Sequence, residues 1–472
     1  MKKILKSVVA IFFLAISIFL FIVVKEIDVL PTKYFLLFVG VILFINLIGA
    51  ITLLNKKKWT KVFSFFSYGI LLIGTLVGIS YGLSTLDFLN KSFNNNKIEV
   101  STYDVLVLKS SNIKDIKELK SKTIGYLEGD SNKDKVVENI NDAVDAELLS
   151  YDDLYELYDV LIDKIVASIV INAAYLDELV DETEEVEENV AVIYSFDIEE
   201  EIEEPEEKEV ELKPMNIYLS GSDSRSKTIQ NKSRSDVNMV LTINPNTKTV
   251  LMTSIPRDYY VQVHGQTGLK DKLTHAGIYG IDRSRETVED LFDIEIAYSI
   301  KVGMNAVEEI VDLVGGVDIN SDKTFNSYHI KGWTVKKGIN HMNGKEALAY
   351  SRERYAYASG DRHRILNQQQ VLEAVLKKVL SDKAILTKYD KLLASLSNLY
   401  RTDIPKILIT DLVKMQIDDM SGWTFISNSV SGSDASSATY TAPNSKRYVM
   451  VPYEKDVKDA HDKIISVLNG TN

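Results

Sequence analysis

PMNIYLSGSDSRSKTIQNKSRSDVNMVLTINPNTKTVLMTSIPRDYY, residues Pro214–Tyr260, is the stretch whose reading decides the fold. Three short apolar runs, Asn216–Leu219, Val237–Asn244 and Thr249–Ile255, carry the β-branched and alternating residues of buried strands. Asn244-Pro245-Asn246-Thr247-Lys248 is turn chemistry, so Val237–Ile255 reads as a β-hairpin. Charged residues stand where the runs stop: Asp223 and Arg225 after the first, Arg234 and Asp236 before the second, Arg257 and Asp258 after the third. Strand ends of this kind collect fixed charges at one rim of a sheet, where open α/β sheets bind ligands.

Arginine usage points to the class of ligand. No arginine occurs before Arg225, although lysine is plentiful there; the chain holds eleven from Arg225 on, nine of them from Arg225 to Arg364. A planar, bidentate guanidinium suits a pyrophosphate better than an ammonium does. Arg283, Arg285, Arg401 and Arg447 lie outside the charged blocks and read as surface charges.

The 472 residues suffice for two or three domains. The net charge of −13 is concentrated in Asp177–Glu211, which holds 18 acids against one lysine, so the remainder is net positive. That run reads as a solvated linker or an exposed strand pair. Cysteine is absent, which excludes disulfides, zinc-thiolate sites and thiol nucleophiles. The six histidines are isolated from one another, which argues against a zinc site; His275 and His363, beside the charged blocks, read as packing or hydrogen-bonding residues.

Residues 1–90 read as a membrane domain. Ile4–Val24, Tyr34–Leu54 and Val62–Leu83 each have about the 20 residues needed to span a hydrocarbon core. Lys2 and Lys3 precede the first span and Lys6 stands in its first turn, and Lys56, Lys57, Lys58 and Lys61 fill the loop between the second and third. The positive-inside bias then predicts a multi-pass protein of the cell membrane, with everything after about residue 85 outside the cell. Gly78-Ile79-Ser80-Tyr81-Gly82 matches a hydrolase nucleophile elbow, but it lies inside an apolar helix. With Gly74 it reads as a small-residue stripe for close helix approach.

Residues 98–210 read as a small α/β module. Strands are expected at Tyr103–Leu108, Thr123–Tyr126 and Ile165–Val170, and a helix at Asp130–Ala143. Asp104, Asp115, Asp130 and Asp152 read as caps and surface acids. Residues 211–472 carry the charged site. Ser284–Phe292 and Asn305–Val314 have helical spacing. Arg352 and Arg354 are two apart, which predicts extended chain there and a preceding helix ending near Tyr350. Asp361 is placed to cap a helix running to about Leu380, on which Arg364 and Gln368 share a face.

The blocks SGSDSR, RSDVNMVLTINPNTKTVLMTSIPRD, KLTHAGIYG and RERYAYASGDRHRILNQQQVL, in that order over residues 211–385, resemble the LytR-CpsA-Psr (LCP) family of wall glycopolymer ligases. The three spans and the extra α/β module further resemble its capsular polysaccharide members. The resemblance implies an extracellular α/β (α+β) domain with a mixed central sheet flanked by helices. It implies a phosphotransferase moving capsular polysaccharide, as glycan phosphate, from undecaprenyl pyrophosphate onto peptidoglycan. A pyrophosphatase side activity and contacts with capsule-assembly proteins are also implied. The cofactor implied is Mg2+ or Mn2+, with Asp223 and Asp236 at the metal. Arg225, Arg257, Lys272, Arg352, Arg354, Arg362, Arg364 and Gln368 match pyrophosphate-binding positions; Asp236, Arg257 and Asp223 are the expected catalytic set.

Elementary chemistry gives these residues the same work. Phosphoryl transfer needs the charge on the equatorial oxygens neutralised and the leaving group held in line, which arginines and a hard divalent ion achieve. Asp223 or Asp236 could accept the proton of the attacking hydroxyl. The competing expectation is a non-catalytic regulator of capsule biosynthesis that binds polyprenyl pyrophosphate. Nucleic acid is not an expected partner, because the arginines are placed outside the cell. A reporter fused after Asn90 should therefore be active only if it works outside the cytoplasm; cytoplasmic activity would reverse the topology.

Overall fold

The computed structural model describes residues 2–28, 30–55, 57–94, 98–182, 185–201, 211–222, 229–357, 360–381 and 399–471. Three apolar helices, α1 (Lys2–Ile27), α2 (Thr32–Leu54) and α3 (Lys58–Asn94), are long and apolar enough to cross a membrane. They pack through the Phe13 and Tyr68 rings, stacked at 4.2 Å, and an Asn46–Ser17 hydrogen bond of 2.9 Å. Of the glycine stripe, Gly78 faces Leu20 and Gly82 faces Val23, whereas Gly74 has no neighbour within reach of a Cβ. The close-approach surface is therefore shorter than the sequence pattern.

The next module is a five-stranded sheet in the order β3-β2-β4-β1-β5. Its elements are β1 (Ile98–Leu108), β2 (Thr123–Leu127), α4 (Lys133–Ala143), β3 (Glu147–Tyr151), α5 (Leu154–Ile162), β4 (Ser168–Asn172), α6 (Ala173–Glu182), α7 (Val186–Asn189) and β5 (Val190–Glu201). Asp153, not Asp152, caps α5, accepting from the N–H groups of Tyr155 and Glu156. Much of the acidic run is ordered rather than a linker. In α6, Tyr175 and Leu179, one turn apart, enter the core with Glu178 between them, and β5 pairs along β1 as an edge strand. Residues 202–210 lie outside the described residues.

The following sheet has six strands and is built around the quoted stretch. β7 (Val237–Asn244) runs antiparallel to both β6 (Met215–Ser222) and β8 (Thr249–Ile255), so the expected hairpin is present. Next come β9 (Tyr260–Val261), β10 (Asp271–Lys272), the short α8 (Leu273–Ala276), α9 (Ile281–Phe292), β11 (Tyr298–Gly303) and α10 (Met304–Leu313). β12 (Val317–Ser321), β13 (Phe325–Asn326), β14 (Thr334–Val335) and β15 (Gly338–Met342) form two small ribbons before α11 (Gly344–Arg352) and α12 (Asp361–Ser381). β16 (Tyr400–Thr402) and β17 (Thr424–Ser429) close the sheet in the order β16-β11-β6-β7-β8-β17. β11 is parallel to β6, and β17 to β8, so the sheet is mixed and flanked by helices.

Alternation divides the side chains of these strands between two cores. Ile217, Leu219, Met239, Leu241 and Met252 meet Leu372 of α12 and Leu408 of the helix Lys406–Asp418. Tyr218, Val240 and Leu251 meet Val288 and Phe292 of α9 and Ile464 of the C-terminal helix Glu454–Asn469. Both faces are covered, which is why the runs read as nearly continuous apolar sequence. The helix Lys406–Asp418 also meets the turn between α1 and α2: Lys414 pairs with Asp28 at 2.7 Å, and Asp418 with Lys33.

Two features shape the segment leading into β7. Lys301 of β11 is completely buried, and its ammonium donates to the carbonyls of Asn231 (2.6 Å) and Ser233 (3.0 Å). Gly277 lies so close that a Cβ there would stand 2.5 Å from the Ser233 carbonyl oxygen. Removing a buried charged donor leaves its acceptors uncompensated, so Lys301→Met should lower stability by about 2–4 kcal/mol in chemical unfolding of the extramembrane part. An unchanged unfolding midpoint would mean that the segment holds its path without the ammonium.

Candidate active site

The pairing of β6, β7 and β8 sets one rim of the sheet. The Asp236 N–H donates to the Gly221 carbonyl at 2.8 Å, and Asn238 sits opposite Ile255. The start of β7 therefore lies between the ends of β6 and β8, and the ends of β11 and β17 join the same edge. Asp223 and Arg225, which follow β6 directly, lie outside the described residues.

Asp236 is nearly buried and accepts from Nη1 of Arg257 at 3.0 Å; Nη2 of Arg234 stands 3.9 Å from the same oxygen. Asp258 lies 3.8 Å from Arg257 Nε and 3.8 Å from the Lys272 ammonium, as a partner to both. Lys272 itself is buried rather than open to solvent.

Behind this row sits a carboxylate from the other module. Glu178 of α6 is 2% exposed. Its Oε2 takes a 2.9 Å hydrogen bond from Arg234 Nη1, while its Oε1 lies 3.2 Å from His275 Nε2 and 3.5 Å from Lys272 Nζ. Burial alone would raise the Glu178 pKa, but His275, Lys272 and Arg234 outweigh it and hold the carboxyl well below its ordinary range. Burial would likewise depress His275, yet Asp271 at 2.7 Å and Glu178 raise its pKa to about 9. His275 is thus a buried imidazolium clamped between two carboxylates.

The second arginine cluster reaches the rim through α12. Gln369 donates to the Met252 carbonyl (3.2 Å) and Ser254 Oγ (2.9 Å), and Arg362, two turns earlier, reaches the Gly432 carbonyl at 3.0 Å. The neighbouring Ser431 carbonyl accepts from Tyr259, two residues past Arg257, at 2.7 Å. The N-terminal end of α12, with Arg362 also 3.2 Å from Asp434, therefore lies beside the segment that holds Tyr259, two residues past Arg257. Gln369 is the amide docked on the sheet, and its neighbour Gln368 is half-buried.

Two local expectations are corrected. α11 runs to Arg352 with Glu353 as its C-cap, so Arg352 stands on the last helical turn and Arg354 beyond it. The cause is Glu353, 1% exposed, whose carboxylate gathers the N–H groups of Tyr328, Tyr355 and Ala356 and stops the helix two residues late. α12 begins at Asp361. Arg447 is not a free surface charge: its guanidinium lies 3.3 Å from the ring centre of Tyr155, in the contact between the two modules. Arg354 is exposed, 5.0 Å over the ring of Tyr355, and the His363 ring stacks on Tyr357 at 3.3 Å.

Glu178 and Arg234 were not among the expected site residues. Arg234 was visible in the arginine census; Glu178 had no sequence signal, being one acid among many. Among the described residues no three His, Asp or Glu side chains converge as a metal cage. Asp236 is a hard oxygen donor at a cationic rim, and magnesium takes one or two carboxylates while phosphate oxygens and water complete its shell. The donor set fits such an ion together with a bound pyrophosphate, not as a cage by itself.

Because the folded-state pKa of His275 is raised, its contribution to stability is fully present below the unfolded value of 6.5 and is lost as pH rises through about 9. Unfolding followed from pH 6 to 10 should show stability falling across that window. His275→Gln should flatten that part of the profile; an unchanged slope would place the titration elsewhere.

The family profile described as the LytR_cpsA_psr family matches residues 177–455. Curated relatives include polyisoprenyl-teichoic acid–peptidoglycan teichoic acid transferases TagU. That of Bacillus cereus (strain AH820) is 38% identical over 209 residues, and that of Bacillus mycoides (strain KBAB4) is 38% identical over 202. These matches cover 44% and 43% of this chain and span 66% and 64% of the relatives, just under two thirds of their length. Among solved structures, TagV of B. subtilis aligns with a TM-score of 0.46 and 30% identity, over 55% of this chain and 99% of that one. TagT of B. subtilis aligns with a TM-score of 0.43 and 26% identity, over 56% and 94%. With the family profile covering more than half of its length, this chain belongs to the LytR-CpsA-Psr family.

Proposed function

We propose that this protein is a membrane-anchored transferase that moves a glycan phosphate from a polyprenyl pyrophosphate carrier onto peptidoglycan, outside the cell. Family membership and the activity named for the TagU relatives support the reaction class. The observation that supports the reading is the rim itself, where Arg257 pairs with Asp236, with Arg362 of α12 on the Gly432 carbonyl next to the Ser431 carbonyl that holds Tyr259. Undecaprenyl pyrophosphate is the carrier and capsular polysaccharide the glycopolymer in this reading. The Lys414–Asp28 pair supports the topology, since it requires the turn between α1 and α2 to share a side with the extramembrane domain.

In the reaction, the acceptor hydroxyl oxygen attacks the phosphorus that carries the glycan, and the bond from that phosphorus to the bridging oxygen breaks. Polyprenyl phosphate leaves, and the hydroxyl proton passes to a carboxylate at the rim, Asp236 or Asp223. Arg257, Arg352, Arg354, Arg362 and Arg364, with Arg225, neutralise the phosphate oxygens and hold the leaving group in line. Lys272 adds a buried positive charge behind them. A magnesium or manganese ion held by Asp236 and Asp223 would supply further neutralisation of the charge that develops on those oxygens. Water reaching the same phosphorus in place of the acceptor would give a pyrophosphatase side reaction.

One observation favours the competing reading of a regulator that binds the carrier without turning it over: Asp236 is already ion-paired, as in a plain anion receptor. Two variants of the full chain in detergent separate the readings. Asp236→Ala should lower release of polyprenyl phosphate by about 100-fold or more while carrier binding survives, because the arginines remain. Arg257→Lys should lose most of the turnover although its charge is kept, since the bidentate fork is gone. Carrier binding with no turnover by the wild type, at any magnesium concentration, would establish the receptor instead.

A further inference from the structure

Glu178 comes from a module to which the reading above assigns no chemistry. Its carboxylate is nonetheless buried against three groups of the site: Arg234 at 2.9 Å, His275 at 3.2 Å and Lys272 at 3.5 Å. Tyr155, on α5 of the same module, donates its hydroxyl to Glu178 Oε1 at 3.1 Å and so helps set the carboxylate's orientation.

The consequence lies with Arg234. Its guanidinium stands between two acids, with Nη1 on Glu178 at 2.9 Å and Nη2 on Asp236 at 3.9 Å. Asp236 in turn receives Arg257 at 3.0 Å. An arginine deprived of the nearer carboxylate swings to the other, because a buried guanidinium is costly without a counter-ion. Arg234 would then close on Asp236, compete with Arg257 for it, and neutralise the carboxylate that the transfer reaction uses.

Glu178 is not needed to attach its module. The two modules also meet through Arg447 stacked on Tyr155, the Asn444 N–H on Asp153 at 3.2 Å, Gln230 on Thr102 at 2.6 Å, and Lys232 on Glu200 at 2.8 Å. Ile278 and Ala442 complete the module's apolar core. A substitution at Glu178 therefore tests placement of charge rather than docking.

We propose that Glu178 is a positioning residue of the pyrophosphate site. From the N-terminal α/β module it fixes the Arg234 guanidinium and the Lys272 ammonium, and thereby keeps Asp236 available to the reaction. This inference rests on the transferase reading for its kinetic consequence, though not for its structural one.

The test uses the full chain in detergent, with Glu178→Gln and Glu178→Asp compared with wild type. Glu178→Gln should lower kcat about 30-fold or more with KM for the pyrophosphate-linked donor within about threefold, and Glu178→Asp should recover much of the loss. Arginine-selective 15N spectra, with the signal assigned by its loss in Arg234→Lys, read the placement directly. The Arg234 Nη resonances should be resolved in wild type and shifted in Glu178→Gln, where Asp236 becomes the partner. Unchanged kcat with unchanged Arg234 resonances overturns the proposal. So does tighter binding of inorganic pyrophosphate with turnover kept or raised, which would make Glu178 a competitor for the ligand's place. If Glu178→Gln does not fold, Tyr155→Phe carries the test: it removes the orienting hydroxyl and keeps the ring under Arg447. It should lower kcat about three- to fivefold and broaden the Arg234 signals, and no change in either overturns the proposal. A wild type without transfer activity refutes the functional reading alone, because the Arg234 spectra still decide the positioning role.

Discussion

The antiparallel register of β6, β7 and β8 is the constraint on which the site depends. One backbone hydrogen bond, from Asp236 to Gly221, and one pairing, Asn238 opposite Ile255, bring a strand start between two strand ends. Slipping that register by a single residue would exchange the two faces of β7 and send Met239 and Val240 into the wrong cores. The charges at the rim are thus held by the same alternation that fills the two apolar layers. Lys301 and Gly277 then press the approach to β7 into place from below, one by donating to its carbonyls and the other by leaving room for them.

Charge at this rim is organised as alternation. From His275 inward the order is imidazolium, Glu178, Arg234 with Lys272, Asp236 with Asp258, and Arg257. Each buried group lies between partners of opposite sign, which makes their burial tolerable in a low-dielectric setting. Such a row is costly to break at any point, because removing one member leaves two neighbours uncompensated. It also explains why Arg257 does not collapse fully onto one acid: Asp236 and Asp258 share it.

Much of this was legible in the residues. The hairpin and the first strand were visible because their alternation is local and their ends are marked by turn and charge chemistry. The arginine census located the rim for the same reason, since guanidinium use changes abruptly along the chain. β11 and β17 were not visible: Ser299, Lys301, Ser427 and Asn428 interrupt their apolar pattern, and only their pairing with β6 and β8 makes them strands. The end of α11 was misjudged because Glu353 gathers backbone donors from Tyr328, distant in sequence. Glu178 was hidden most completely. Composition cannot separate a carboxylate that meets three cations in three dimensions from seventeen others in the same run.

The apolar core of the N-terminal module closes on Ile278 and Ala442, which belong to the chain beyond it. Severing the chain between the two modules would therefore not yield two self-sufficient halves. The first would lose part of its lid. The second would carry Arg234, Lys272 and His275 into water-exposed positions without the carboxylate that neutralises them, beside a bared Ile278. Homologous exchange has the same limit: a module swapped in from another protein must bring a carboxylate at the place of Glu178 and an aromatic ring for Arg447. What divides into two sheets by topology is one inheritable unit by chemistry.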